Sequence, residues 1–230
     1  MRFDIITIFP ELFAGFLECG ILRRAREAGL LELRLVNLRD FTADKHRSVD
    51  DRPYGGGEGM ILMPEPLFDA VEHCRGEERL PGCEVILLTP QGSTWSQEMA
   101  SGFASTPHLV LICGRYEGVD QRIVDSLVDR EISIGDFVLS GGEIAAMVLL
   151  DSIVRLLPGA LGKRESALNE SFTTGILDYP QYTRPADFRG MTVPDVLISG
   201  DHARIENWRR EQALKKTLKR RPELVKNSTP

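Results

Sequence analysis

The chain has 230 residues, 42% of them hydrophobic and 27% charged. That is enough for one large globular domain or two unequal ones, and it sets disorder aside. The net charge of −6 argues against a uniformly basic nucleic-acid binder, but the charge is uneven: residues 1–200 hold 19 Lys/Arg against 30 Asp/Glu, whereas residues 201–230 hold 9 against 4. A basic C-terminal block on an acidic body points either to a separate polyanion-binding element or to a solvated helix.

In chain order, residues 3–9 are short and β-branched and predict a buried strand, with Pro10 opening a helix. Leu12, Phe16, Leu17 and Ile21 repeat at helical spacing, which predicts one helix running on to Gly29. Residues 31–37 alternate like a strand, 50–59 form a glycine-rich loop and 64–74 a helix. Three strand-to-loop units follow. Residues 84–89 run into Pro90-Gln91-Gly92, 109–113 into Gly114-Arg115-Tyr116-Glu117-Gly118, and 131–134 into Gly135-Asp136 and, beyond Leu139, Ser140-Gly141-Gly142-Glu143. Residues 143–156 predict an apolar helix stopped by Pro158. The stretch 158–180 reads as a linker and 187–200 as irregular, and a last helix covers about 201–221 with Asp201 as N-cap.

Alternating apolar strands and helices predict an α/β domain with a mostly parallel sheet. Ligands in such sheets sit beyond the carboxyl ends of the strands, where all three glycine-rich turns are expected to line one pocket. The motif is neither of the common nucleotide loops. A G-x-G-x-x-G would need glycine at Met60, and a Walker A loop fails at Arg164 and Leu157. The four cysteines, Cys19, Cys74, Cys83 and Cys113, form no C-x-x-C pair and predict reduced thiols. The first residues lead straight into a strand with no leader pattern, and no apolar run approaches bilayer length, so a cytoplasmic protein with no membrane partner is expected.

The stretches Asp50-Asp51-Arg52-Pro53-Tyr54-Gly55-Gly56-Gly57, Cys113-Gly114-Arg115-Tyr116-Glu117-Gly118 and Ser133-Ile134-Gly135-Asp136-Phe137-Val138-Leu139-Ser140-Gly141-Gly142-Glu143 together closely resemble the bacterial tRNA (guanine-N1) methyltransferase family. Ile8-Phe9-Pro10-Glu11, Tyr182-Thr183-Arg184-Pro185, Ser199-Gly200-Asp201-His202-Ala203 and Arg221-Pro222-Glu223-Leu224 fit it too, so the resemblance spans nearly the whole chain.

The resemblance implies methylation of N1 of guanosine 37, next to the anticodon, with S-adenosylmethionine as donor. It also implies a homodimer and an α/β fold of the SPOUT type with a deep trefoil knot. The implied domains are a knotted methyltransferase domain over 1–160, a flexible linker over 161–176 and a small, mainly helical tRNA-binding domain over 177–230. The matching donor positions are Leu88, Pro90, Gly92, Gly114, Tyr116, Glu117, Ile134, Gly135, Leu139, Gly141 and Gly142.

Guanine N1 carries a proton near neutral pH, so the reaction needs a general base and a cation facing O6 as charge builds there. The family's base is an Asp before a Ser-Phe pair. Here Glu170 precedes Ser171-Phe172, one methylene longer, and is the candidate base, with Arg155 as the charge-stabilising cation. No metal ligand is implied, because the methyl donor is already activated; a role for magnesium stays open. The expected tRNA contacts are Arg52, Tyr54, Gly57 and Gly59 of the loop that holds the target base, Asp50 on neighbouring nucleotides, His46 on the same face, and Arg209, Arg210 and Lys215 on phosphates. Two alternatives remain at this point, a noncatalytic RNA-binding protein on the same scaffold and a methyltransferase of ribose 2′-oxygen.

Overall fold

The computed structural model describes residues 1–76, 82–161 and 170–226. The chain forms two compact units, 1–162 and 163–230.

The first unit is built on five parallel strands: β1 (Arg2–Thr7), β2 (Glu32–Asn37), β5 (Cys83–Thr94), β6 (His108–Cys113) and β7 (Arg130–Ser133), in the order β2-β1-β6-β5-β7. A separate two-residue ladder pairs β3 (Asp50–Asp51) with β4 (Ile61–Leu62). Helices cover both faces of the sheet. On one, α2 (Gly20–Glu27), α4 (Gln97–Phe103) and α6 (Glu143–Val154) pack on Phe3, Ile5, Ile86, Leu109, Leu111 and Ile132. On the other, α3 (Pro64–Arg75) and α5 (Gln121–Leu127) pack on Ile6, Val85, Leu87, Val110 and Ile112. Alternate residues of one strand thus feed two cores, and every residue of β6 is buried. Such two-sided burial explains why the central strands read as unbroken apolar runs rather than alternating ones.

Three sequence expectations are corrected here. The helix expected from Pro10 to Gly29 is three pieces: a 3-10 turn at Pro10–Phe13, α1 at Ala14–Leu17, and α2. Cys19 is extended and Gly20 takes φ 62°, so the backbone turns where the side-chain spacing alone suggests continuity. Pro90-Gln91-Gly92 is not a loop beyond a strand. It lies inside β5, where the pairing with β7 shifts between Leu88 and Ser93 and Ile132 faces both. A Cβ on Gly92 would stand 2.3 Å from the Ile132 nitrogen and 2.4 Å from the Glu131 carbonyl carbon, so only glycine lets the strands close there. Residues 187–200, expected to be irregular, hold a hairpin, β8 (Asp187–Phe188) and β9 (Met191–Thr192), and a helical turn, α7 (Asp195–Ile198).

At the amino ends of the sheet the fully buried Asp4 accepts from Arg34 Nε at 2.6 Å and Arg2 Nη2 at 2.9 Å, and lies 2.8 Å from His108 Nε2. Burial alone would raise the Asp4 pKa, but hydrogen bonds from His108, Arg34 and Arg2 outweigh it and hold the carboxyl well below its usual range. Burial likewise opposes charge on His108, yet the Asp4 carboxylate and Cys83 push its pKa up to about 9. This cluster lies at the end of the sheet opposite the glycine loops.

The second unit is dominated by α8 (His202–Arg220), followed by α9 (Pro222–Lys226). The Asp201 side chain caps α8 by accepting from Arg204 N, as the sequence predicts. Ala213 and Thr217 form its buried stripe, with the Thr217 hydroxyl accepting from Leu177 N at 3.0 Å. Half of the expected flexible linker, residues 162–169, lies outside the described residues. Residues 170–176 form tight turns of the second unit: Phe172 N donates to Ile176 O at 2.9 Å, and Phe172 itself takes φ 74°.

Candidate functional site

A cavity of about 360 Å³ opens at the carboxyl ends of β5, β6 and β7. Parallel sheets with helical crossovers place their ligand sites there, and the volume lies in the range of small-molecule sites. Of the expected donor-contact residues all but Gly92 line it: Leu88, Pro90, Gly114, Tyr116, Glu117, Ile134, Gly135, Leu139, Gly141 and Gly142. Gly92 is instead the close-approach residue of β5. Thr89, Gln91, Ser133, Phe137, Val138 and Ser140 complete much of the wall.

The sequence shapes these walls locally. Gly135 takes φ 146° and Gly118 φ 124°, and Tyr116 holds φ 59°, a conformation that non-glycine residues seldom adopt outside sites that need it. The Ser133 hydroxyl donates to Gly135 O at 3.0 Å and accepts from Gly135 N at 3.2 Å, fixing the turn after β7. Gly142 N donates to Gly114 O at 2.9 Å, and Arg115 bridges Gly141, so the loop after β6 and the start of α6 are joined. A Cβ on Gly142 would stand 2.8 Å from the Cys113 Cα.

The charge in the cavity is one-sided. Arg115, the one arginine of the lining among the described residues, is spent on Glu143, which it meets at 2.9 Å through Nη2. Glu117 and Glu131 are also among the lining residues. A ligand therefore meets apolar walls, glycine backbone and net negative charge, an environment that favours a cationic organic molecule.

The glycine-rich loop 52–59 is stitched to this cavity. Glu117 N donates to Met60 O at 3.0 Å, Leu62 N to Gly118 O at 3.0 Å and Asp120 N to Leu62 O at 3.1 Å. A Cβ on Gly59 would stand 2.5 Å from Glu117 Cγ, so glycine is needed where loop and cavity wall touch. Gly55, Gly56, Gly57 and Gly59 all have positive φ, and the turn they make presents Tyr54 fully to solvent.

A model of the family described as tRNA (Guanine-1)-methyltransferase TrmD matches residues 1–227. The chain belongs to that family. It is 56% identical to the tRNA (guanine-N(1)-)-methyltransferase of Dictyoglomus turgidum over 100% of this chain and 91% of that protein. It is 54% identical to the protein of the same description from Geobacillus kaustophilus, over 98% and 91%. The Moorella thermoacetica protein, also so described, is 56% identical over 98% and 90%. The family's fold is the knotted SPOUT type, and the five-stranded parallel sheet found here is the α/β core expected of it.

The remaining candidates of this family member are more dispersed. Asp50 is half-buried in β3 and Arg52 is exposed beside it. His46 stands in a separate turn organised by Asp44, which accepts from His46 N at 2.8 Å and Ser48 N at 2.8 Å; it does not line the cavity. Arg155 is half-buried at the carboxyl end of α6 in the first unit, and Glu170 is half-buried in the turns of the second. On α8, Arg210 and Lys215 are exposed, whereas Arg209 is half-buried with its guanidinium 5.0 Å from the Tyr179 ring centre. Lys216 donates to Asp178 O at 2.9 Å.

Sequence reasoning passed over the roles of Arg115 and Glu143. Both stand in the quoted motifs, but what marks them is their mutual contact and the burial of Glu143, which no local pattern displays.

Proposed function

We propose that this chain is a tRNA (guanine-N1)-methyltransferase that acts on guanosine 37 with S-adenosylmethionine, as a knotted homodimer in the cytoplasm. The observation that carries the reading is the cavity, in which the donor positions implied by the resemblance gather at the carboxyl ends of three parallel strands. Its negative, glycine-rich and partly apolar lining fits a sulfonium-bearing nucleoside. Leu88 and Leu139 would wall the adenine, backbone groups of Gly114, Gly135 and Gly141 would hydrogen-bond it, and Glu117 would face the positive end. S-adenosylmethionine, when bound, supplies a methyl group already activated for transfer.

The chain's own groups supply the rest. Loop 52–59, anchored to the cavity through Met60, Leu62 and Gly59, holds the target guanine at the cavity mouth. Glu170 accepts the N1 proton, and its longer reach does the work of the family's Asp. Arg155 places positive charge toward O6, where negative charge builds as that proton leaves. The exposed cations of α8, Arg210 and Lys215 among them, take phosphates and supply affinity without base choice. We divide the labour among a methyl-transfer domain over 1–160, a connecting segment over 161–176 and a tRNA-binding domain over 177–230.

The dimer is supported by two exposed apolar side chains one turn apart on α6 of the first unit, Ile144 and Val148. Such a patch suits a second copy of the chain. Among the described residues no helix is long and apolar enough to cross a membrane, and no group of three or more His, Cys, Asp or Glu is placed to hold a metal ion.

The test is methyl transfer from labelled S-adenosylmethionine to unmodified tRNA, followed by digestion and identification of the nucleoside. The reading requires 1-methylguanosine. A ribose-methylated product, or donor binding without turnover, would replace it with one of the two alternatives.

A further inference from the structure

Glu143 is 1% exposed, yet it is a carboxylate at the first turn of α6 and no step of methyl transfer calls for it. Its oxygens are fully used. Oε1 accepts from the Thr7 hydroxyl at 2.7 Å, and both oxygens accept from Arg115 Nε, at 3.1 and 3.0 Å. The Arg115 guanidinium lies 4.6 Å from the Phe9 ring centre, and the Thr7 hydroxyl in turn accepts from Phe9 N at 3.0 Å. A Cβ on Gly141 would stand 2.1 Å from Arg115 Nε, so the arginine lies flat against the backbone that leads into α6.

We infer that the Arg115–Glu143 pair is a positioning clamp that holds two walls of the donor cavity in register. Arg115 sits in the loop after β6, and Glu143 directly follows the Leu139–Gly142 wall. Thr7 ties both to the end of β1, a strand that contributes nothing to the lining. The sheet is rigid because it is buried on both faces, and the clamp carries that rigidity to two loops that otherwise meet through Gly142 N on Gly114 O and the bridge of Arg115 to Gly141. A paired, hydrogen-bonded ion pair out of water has one geometry and is costly to half-break, which is what a preorganised wall needs. Glu143 is not part of the lining and so acts through Arg115 and the two loops, whereas Arg115 is itself part of the wall that the clamp holds.

This inference rests on the donor reading above, and the test separates the two. Glu143→Gln keeps the shape and leaves the guanidinium without its counter-charge. Arg115→Lys keeps the charge but loses the fork, and Thr7→Val removes only the third tie. Each variant is first measured for thermal unfolding, and donor affinity is compared at temperatures where it is fully folded. S-adenosylmethionine should bind Glu143→Gln about 10–100-fold more weakly, the scale of losing a hydrogen-bonded partner that orients a binding group from behind. The single-turnover rate of Glu143→Gln at saturating donor should change less than about 3-fold, and the donor affinities of Arg115→Lys and Thr7→Val should fall between those of the wild type and Glu143→Gln.

The second readout needs no ligand. Amide exchange at 114–118 and 139–142 should quicken in Glu143→Gln while β1 and β6 stay protected. If those amides exchange as in the wild type, or donor affinity per folded molecule is unchanged, the clamp is refuted. If the loops loosen but the wild-type protein itself binds no S-adenosylmethionine, the donor reading fails and the clamp stands.

Discussion

Replacing Gly92 by alanine asks whether the irregular β5–β7 pairing shapes the cavity. The added Cβ would lie 2.3 Å from Ile132 N, 2.4 Å from Glu131 C and 2.6 Å from Glu131 O, against an ordinary contact of at least 3.4 Å. All three atoms are backbone, so no side chain can swing aside. The strands must part by roughly 1 Å, and overpacking of that kind costs about 1–3 kcal/mol. Leu88, Pro90 and Gln91 line the cavity beside Gly92, so if strain of the same size falls on the binding wall, S-adenosylmethionine should bind about 10–100-fold more weakly at temperatures where the variant is folded. Gly102→Ala is the control. It lies in α4 with nothing within 4 Å of its Cβ and should stabilise by up to about 1 kcal/mol, because alanine favours helix. Urea unfolding and calorimetric titration of the two variants measure both effects. A Gly92→Ala protein as stable as the wild type, with unchanged donor affinity, would refute the reasoning.

Other consequences follow from the same structure. Glu170→Gln should slow single-turnover methyl transfer by about 10²–10⁴-fold with tRNA and donor affinity nearly unchanged, Arg155→Ala should slow it by about 10²-fold, and Glu170→Asp should stay active; a wild-type rate in Glu170→Gln would send the proton elsewhere. Neutralising Arg210, Lys215 and Lys219, exposed on α8, should weaken tRNA binding and flatten its salt dependence by about one unit per lost phosphate contact, with donor binding intact; equal loss of both affinities would make α8 a structural helix. Ile144→Glu with Val148→Glu should yield monomers in sedimentation, and an unchanged sedimentation coefficient would place the interface elsewhere. The His108 contribution to stability is complete below its ordinary pKa of 6.5. It should disappear as pH rises toward about 9, because the unfolded state releases the proton first; His108→Gln should flatten that decline, and an equal slope in both proteins would rule it out.

The parts of this molecule that show in its sequence are those set by local chemistry. The apolar run Leu109 to Cys113 has to be a buried strand, and Asp201 has to cap a helix, because burial and capping act over a few residues. The glycine turns around the cavity show for the same reason. What stays hidden depends on distant partners. Asp4 and His108 are 104 residues apart and Thr7 and Glu143 are 136 apart, so nothing beside either member marks it as paired. Gly92 reads as a turn residue because its neighbours are Pro and Gln, whereas its reason for being glycine is the backbone of Glu131 and Ile132. The hairpin at 187–192 escapes notice because its strands are two residues long and Arg189, not glycine, takes the first positive φ of its turn. The roles proposed for Glu170 and Arg155 rest on the resemblance alone, since neither residue carries a local signature of catalysis.

The central claim concerns one atom of one nucleotide. A methyl group on N1 of guanine blocks Watson–Crick pairing, so primer extension through tRNA treated with this protein and S-adenosylmethionine should halt one nucleotide before position 37. A transcript with adenosine at that position should be read through. Full extension past guanosine 37, or a halt at another nucleotide, would contradict the account.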